Sequence, residues 1–174
     1  MLKNKKIGII GSGNMGEALI SGLSESGAVP GKNIICSDIS EKQLDSIEKK
    51  YGVKTTSNNV EVIENSEYII YAVKPQILSS VLKNTASALD MSKLVISIAA
   101  GVPLEAIEHC LQKDVRLIRV MPNICAFVKE AAIGISAGKN ARDDDVKIAK
   151  LIFDSIGKTV FIKESNLMDA VTGL

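Results

Sequence analysis

Lys6-Ile7-Gly8-Ile9-Ile10-Gly11-Ser12-Gly13-Asn14-Met15-Gly16 decides how this chain folds. An apolar run, Lys6–Ile10, passes straight into a Gly-x-Gly-x-x-Gly sequence. Glu17–Ser26 follows, with Ala18, Leu19 and Leu23 on one face at helical spacing. A strand that enters such glycines and leaves as a helix is the setting in which they bind a dinucleotide. Gly11 permits the tight turn, Gly13 lets the backbone approach a pyrophosphate, and Gly16 permits close packing of helix on strand. Ser12, Asn14 and Met15 complete the loop. The helix start adds free N–H groups and the positive end of its dipole, both suited to a diphosphate. A structural glycine turn could carry the same three glycines, so the strand–turn–helix context is what favours the ligand.

Outward from this stretch, apolar runs alternate with amphipathic segments. Strands are expected at Ile34–Ser37, weakly near Val53–Thr55, and at Tyr68–Val73, Leu94–Ala99 and Val115–Met121. Helices are expected at Ser40–Tyr51, around Val60–Asn65, at Gln76–Leu89 and at Leu104–Leu111. Unbroken apolar strands separated by helices indicate a parallel sheet covered on both faces. After Pro122 the pattern changes: Ile133–Ala137 and Thr159–Lys163 read as two further strands bracketing a helix, Asp143–Ile156. Asp143, Asp144 and Asp145 fall in that helix's first turn, where the dipole favours negative charge, and read as a helix start rather than a metal site. The expected fold is α/β, a doubly wound Rossmann-type, mostly parallel sheet with two extra strands. Leu167–Leu174 begin a further helix-like element.

The chain has 174 residues, enough for one α/β domain with a self-sufficient core. It is 46% hydrophobic and 24% charged, which excludes disorder. Lys+Arg number 21 against 20 Asp+Glu, so no excess of cations is available to attract nucleic acid or a membrane surface. Aromatics, at 3% with no Trp, disfavour stacking platforms for single strands. No apolar run is long enough to span a bilayer, and the basic start Lys3-Asn4-Lys5-Lys6 is followed by glycines rather than a signal-peptide core. Cys36, Cys110 and Cys125 match neither a disulfide framework nor a zinc signature. Reduced thiols in the cytoplasm are the expectation.

Parallel sheets bind ligands at the C-terminal ends of their strands. The second strand ends at Ser37 and Asp38, about 20 residues beyond the glycines, where an acid accepts from the adenine ribose and favours NAD. Ser37 and Ser40 could instead donate to a 2′-phosphate that Lys42 neutralises, so NAD(H) and NADP(H) both stay open. Ala72-Val73-Lys74-Pro75 ends the fourth strand: the small residue permits close approach, Pro75 stops the strand, and Lys74 could sit near a diphosphate or simply in solvent. Ile98-Ala99-Ala100-Gly101 ends the fifth strand with room for a flat ring, and Met121-Pro122-Asn123 ends the sixth. His109, the one histidine, lies on a helix face away from any strand end. Cys36 and Cys110 read as small core residues, and Cys125 as packing because no histidine is placed to activate it.

Ala72-Val73-Lys74-Pro75, the stretch Val95–Val102, and Arg119-Val120-Met121-Pro122-Asn123, in that order behind the opening glycines, closely resemble Δ1-pyrroline-5-carboxylate reductase. The resemblance implies a hydride transfer from NADP(H) or NAD(H) to the cyclic imine pyrroline-5-carboxylate, giving L-proline. It implies that Met121-Pro122-Asn123 border the nicotinamide. It also matches Asn59 to a contact of the adenosine half, although Asn59 could equally be a helix N-cap. Residues 1–165 would form the cofactor domain and 166–174 the start of a connection to a helical substrate and dimerisation domain. On that view the substrate residues lie beyond Leu174, no catalytic residue is assigned here, and a homo-oligomer is expected only of the full-length enzyme. Ile124-Cys125 departs from the family's usual Thr-Pro. Two rivals are a reductase of the β-hydroxyacid dehydrogenase type, which would share the glycines but not the later segments, and a dinucleotide sensor without turnover.

Overall fold

A computed structural model of the chain describes residues 2–163 together with Leu167 and Met168. The elements run β1 (Ile7–Ile10), α1 (Asn14–Glu25), β2 (Ile34–Ser37), α2 (Glu41–Tyr51), β3 (Lys54–Thr56), α3 (Asn59–Glu64), β4 (Tyr68–Tyr71) and α4 (Pro75–Thr85). They continue with β5 (Leu94–Ser97), α5 (Leu104–Leu111), β6 (Arg116–Pro122), β7 (Ala131–Ala137), α6 (Asp143–Phe153) and β8 (Gly157–Phe161). The strands form one sheet in the order β3-β2-β1-β4-β5-β6-β7-β8. β1 to β6 are parallel, β7 pairs antiparallel to β6, and β8 pairs parallel to β7. The doubly wound sheet and its two-strand extension are those the apolar periodicity predicts.

Both faces are covered. Ile7, Ile9, Cys36, Ile70 and Ile96 pack with Leu19, Ile20 and Leu23 of α1, and with Ala149, Ile152 and Phe153 of α6. Ile10, Ile69, Tyr71, Val95 and Leu117 pack on the opposite face with Leu78, Leu82, Leu104 and Ile107 of α4 and α5. Each fully buried Ile or Leu contributes roughly 1.5–3 kcal/mol by leaving water. That is why β1, β4 and β5 are buried at every position rather than at alternate ones, and apolar but for Ser97 at the end of β5. The Tyr71 hydroxyl would be costly in this core, and it bonds Thr85 Oγ1 at 2.8 Å.

Boundaries differ from the periodicity in an informative way. β4 and β5 stop at Tyr71 and Ser97, two residues before their apolar runs end. The small residues that follow leave the ladder and turn toward the mouth of the sheet. α1 begins at Asn14 rather than Glu17, because the glycine turn feeds the helix without an intervening loop. α4 begins on Pro75, which tolerates the first helical position since its missing N–H would have no partner there. It ends at Thr85 and passes into a short 3-10 turn, Ala86–Ala88, within the span expected to be helix. β7 and β8 each start two residues earlier than expected, paired through Ala131 and Gly157. Of the helix-like element expected over Leu167–Leu174, only Leu167 and Met168 are described, and the expected boundary at residues 165–166 lies outside the described residues. Met168 is fully buried against Gly134 of β7.

The three acids that open α6 do not share one role. Asp143 and Asp144 are exposed, whereas Asp145 is 1% exposed and takes Arg116 Nη1 at 2.9 Å and the Arg142 N–H at 2.9 Å. Arg116 also donates to the Ser92 carbonyl at 2.8 Å, so one guanidinium joins β6, α6 and the loop before β5. Removing one partner of a buried pair strands the other charge. Asp145→Ala is therefore expected to destabilise the fold by about 3 kcal/mol, read from the urea midpoint at constant slope, with ligand affinity at the far end of the sheet unchanged.

Candidate dinucleotide-binding site

Strand order reverses at β1: the chain moves outward through β2 and β3, then returns to β4 on the other side. Connections leave β1 and β4 in opposite directions, which opens a crevice over their carboxyl ends. A cavity of about 580 Å³ lies there. It is lined by Gly13, Asn14 and Met15 from the glycine turn and by Ala72, Val73, Lys74 and Pro75 after β4. Ile98, Ala99 and Ala100 after β5, and Met121 and Pro122 at the end of β6, close its other wall. Four segments far apart in sequence thus meet as the spacing of the strands predicts.

The turn is built by what cannot fit in it. Gly11 has φ +95°, and a side chain there would press on the Ala72 carbonyl. A Cβ at Gly16 would overlap the Gly11 carbonyl oxygen. Gly13 is the opposite case, since a Cβ built on it meets nothing within 4 Å. Its missing side chain leaves open space on the cavity side, where a ligand can reach the backbone. No side chain caps the start of α1 at Gly13, so the first-turn N–H groups have no capping acceptor among the described residues. These features fit a diphosphate. Lys74 is exposed and is the one titratable side chain in the lining among the described residues.

The second strand behaves differently from expectation. Asp38 Oδ2 accepts from the Ser12 N–H at 2.8 Å and the Ser12 hydroxyl at 3.2 Å, and Oδ1 accepts from the Ser40 N–H at 3.0 Å. Ser37 is buried and donates to Asn59 Oδ1 at 2.7 Å, so its proton is not directed at a 2′-phosphate. The N-cap of α3 is Asn58, whose Oδ1 accepts from the Val60 N–H at 2.9 Å; Asn59 is the first helical residue and steadies the end of β2. Asn123 lies outside the cavity lining and its Oδ1 accepts from the Cys125 and Ala132 N–H groups at 3.2 and 3.3 Å, shaping the turn after β6. Ile39, between Asp38 and Ser40, is fully exposed.

Sequence reasoning did not single out Gln43. Its Nε2 donates to the Ser12 carbonyl at 2.7 Å and to Glu17 at 3.3 Å. Glu17 also receives Lys50 Nζ at 2.9 Å and the Tyr51 hydroxyl at 3.2 Å, and the Lys50 contact holds its carboxyl below the ordinary range. Cys36 is buried, and that burial pushes its thiol up to about 12. Cys110 is half-buried and packs at the edge of the core, beside Ser79. His109 is exposed on α5 and does not line the crevice. No group of side chains suited to a metal occurs among the described residues.

The family model of NADP oxidoreductases, coenzyme F420-dependent, matches residues 6–101, which is more than half of the chain. The chain belongs to that family. It is 49% identical to a pyrroline-5-carboxylate reductase of Methanosarcina acetivorans, over 99% of this chain and 64% of the relative. Among solved structures, a pyrroline-5-carboxylate reductase from Coxiella burnetii superposes with a TM-score of 0.94 at 30% identity, covering 99% of this chain and 64% of that one. The reductase of Plasmodium falciparum, solved with NADP bound, superposes at 0.86 with 31% identity, covering 98% and 63%. The chain therefore spans a little under two thirds of the relatives it matches.

Gly13 and Gly16 should respond oppositely to substitution. Gly13→Val is expected to leave the melting temperature within a degree or two, because its Cβ points into open space, yet to abolish nucleotide binding in calorimetry. Gly16→Ala should lower the melting temperature by several degrees, because the Gly11 backbone must shift; a cost of 1 kcal/mol moves a domain of this size by roughly 2–4 °C.

Proposed function

We propose that this chain is the cofactor-binding part of a pyrroline-5-carboxylate reductase, holding NADP(H) or NAD(H) in the crevice over β1 and β4. The observation that carries the reading is the cavity itself: an uncapped helix start beside an open Gly13, facing apolar walls from three further strand ends. Similarity to pyrroline-5-carboxylate reductases along the whole chain supports it.

The residues present divide the work. The N–H groups that open α1 and the Lys74 ammonium would face the diphosphate. Met121, Pro122, Ile98 and Ala99 would wall the nicotinamide end with apolar surface that excludes water. When bound, the reduced nicotinamide supplies a hydride to the imine carbon of pyrroline-5-carboxylate, and protonation at the ring nitrogen completes L-proline. Orientation and desolvation are what this part of the protein contributes. Its lining holds no acid–base pair among the described residues, and proton delivery and the substrate carboxylate are left to the remaining third of the reductase length. On this reading the protein acts in the cytoplasm, on a small molecule, and forms a homo-oligomer through that remaining segment.

The reading predicts that the 174-residue chain binds NADPH or NADH in calorimetry but does not consume it when pyrroline-5-carboxylate is added. Positioning of donor and acceptor at roughly 3–3.5 Å contributes several kcal/mol to such a step and would be absent. A chimera carrying the remaining segment of the Methanosarcina relative after Leu174 should turn over, followed by loss of reduced-nicotinamide absorbance. Equal turnover by chain and chimera would overturn the division of labour, and failure to bind either coenzyme would overturn the reading altogether.

A further inference from the structure

The sequence Ser40-Glu41-Lys42-Gln43 has the spacing of a capping box, in which the fourth side chain reaches back to the backbone N–H of the first residue. Only half of that box forms. Ser40 Oγ accepts from the Gln43 N–H at 3.3 Å, but the Ser40 N–H is taken by Asp38 Oδ1 at 3.0 Å. Gln43 is thereby released from its usual partner, and its amide crosses to the glycine turn, donating to the Ser12 carbonyl at 2.7 Å. Glu17 fixes which end of the amide points there. Both groups around Nε2, the Ser12 carbonyl and the Glu17 carboxylate, are acceptors, so the nitrogen must face them.

Ser12 is fully buried and is gripped on both sides. Its N–H is held by Asp38 at 2.8 Å and its carbonyl by Gln43 at 2.7 Å. The Ser12–Gly13 peptide is planar and trans, so a carbonyl drawn toward α2 sends the Gly13 N–H the opposite way, away from α2. Gly13 is exposed and lines the cavity. The clamp on Ser12 thus sets the direction of the backbone at the point where a diphosphate must approach.

We propose that Gln43 is a positioning residue for the diphosphate-facing turn, acting with Asp38 through Ser12, and that Asp38 serves NADPH and NADH alike rather than choosing between them. This rests on the dinucleotide reading above. The Asp38 carboxylate already accepts three hydrogen bonds from the protein, two from Ser12 and one from Ser40. It builds the turn that every dinucleotide shares. Removing it removes affinity for both coenzymes, whereas an acid that only met the ribose would release NADPH binding when neutralised.

The test uses the 174-residue chain and four probes: NADPH, NADH, ADP, and adenosine 2′-monophosphate, which lacks a diphosphate. In Gln43→Met, which keeps length but loses the donor, calorimetric affinity should fall about tenfold for NADPH, NADH and ADP, in line with one lost hydrogen bond. The NADPH-to-NADH ratio and the affinity for adenosine 2′-monophosphate should stay unchanged. Gln43→Lys restores a donor and should recover most of the loss. Asp38→Asn should weaken both coenzymes in parallel, and this arm stands even if Gln43→Met fails to fold. Unchanged affinity in a folded Gln43→Met, a loss extending equally to adenosine 2′-monophosphate, or an Asp38→Asn protein that gains NADPH relative to NADH would overturn the proposal. A wild-type chain that binds none of the four overturns the dinucleotide reading itself, a result distinct from wild-type binding that Gln43→Met leaves untouched.

Discussion

Where α1 closes on the end of β1, at Gly11 and Gly16, there is no room for a side chain, and most of the site follows from that. Gly11 turns the chain in a backbone conformation that other residues rarely adopt, and Gly16 sets the first turn of α1 against the Gly11 carbonyl. The turn is also pinned from both sides. The Gly11 N–H donates to the Ser37 carbonyl at 2.8 Å, and the Ala72 N–H donates to the Ile10 carbonyl at 2.8 Å. The end of β1 is thereby fastened to β2 and to β4 at the place where strand order reverses. A looser turn would lift α1 from Ile9 and withdraw its first N–H groups from the crevice.

Around this turn, polar groups do the work that apolar packing does beneath it. Asp38 at the end of β2 and Gln43 of α2 both bond Ser12, and Gln43 also reaches Glu17 of α1. Ser37 and Asn59 tie β2 to α3 in the same layer. The sheet below is apolar on both faces and can slide by little, so these bonds are made between elements whose positions are already set. The cavity wall is apolar apart from Lys74 and the amide of Asn14. That contrast suits a ligand with a charged middle and flat, largely apolar ends. At the opposite end of the sheet, Arg116 and Asp145 lock α6 onto β6.

Most of the architecture was legible in the order of the residues. Unbroken apolar runs such as Tyr68–Tyr71 and Leu94–Ile96 announce strands buried on both faces, and the helices between them force a parallel sheet. Glycines whose reason is steric were legible too, because only a residue without a side chain meets that constraint. The cavity lining could be read from strand ends alone, since Ala72–Pro75, Ile98–Ala100 and Met121–Pro122 sit where a parallel sheet opens.

Hydrogen-bond partners could not be read in this way, because they depend on distances across elements that sequence spacing does not encode. Asp38 sits at the position of a ribose acceptor, yet its carboxylate turns inward to Ser12 and Ser40. Asn58 rather than Asn59 caps α3, since a one-residue shift in the helix start exchanges their roles. Asp145 differs from Asp143 and Asp144 only in facing Arg116, a fact of helix rotation. Gln43 has no distinctive residue type and carries a capping-box spacing that points elsewhere; only the closeness of α2 to the glycine turn brings its amide to Ser12. The amino-acid order by itself determined the sheet, the turn and the place of the crevice, through periodicity and the sterics of glycine. Tertiary structure decided which polar groups hold the turn, because a hydrogen bond requires two groups within about 3 Å and in line, and only the packed fold supplies that.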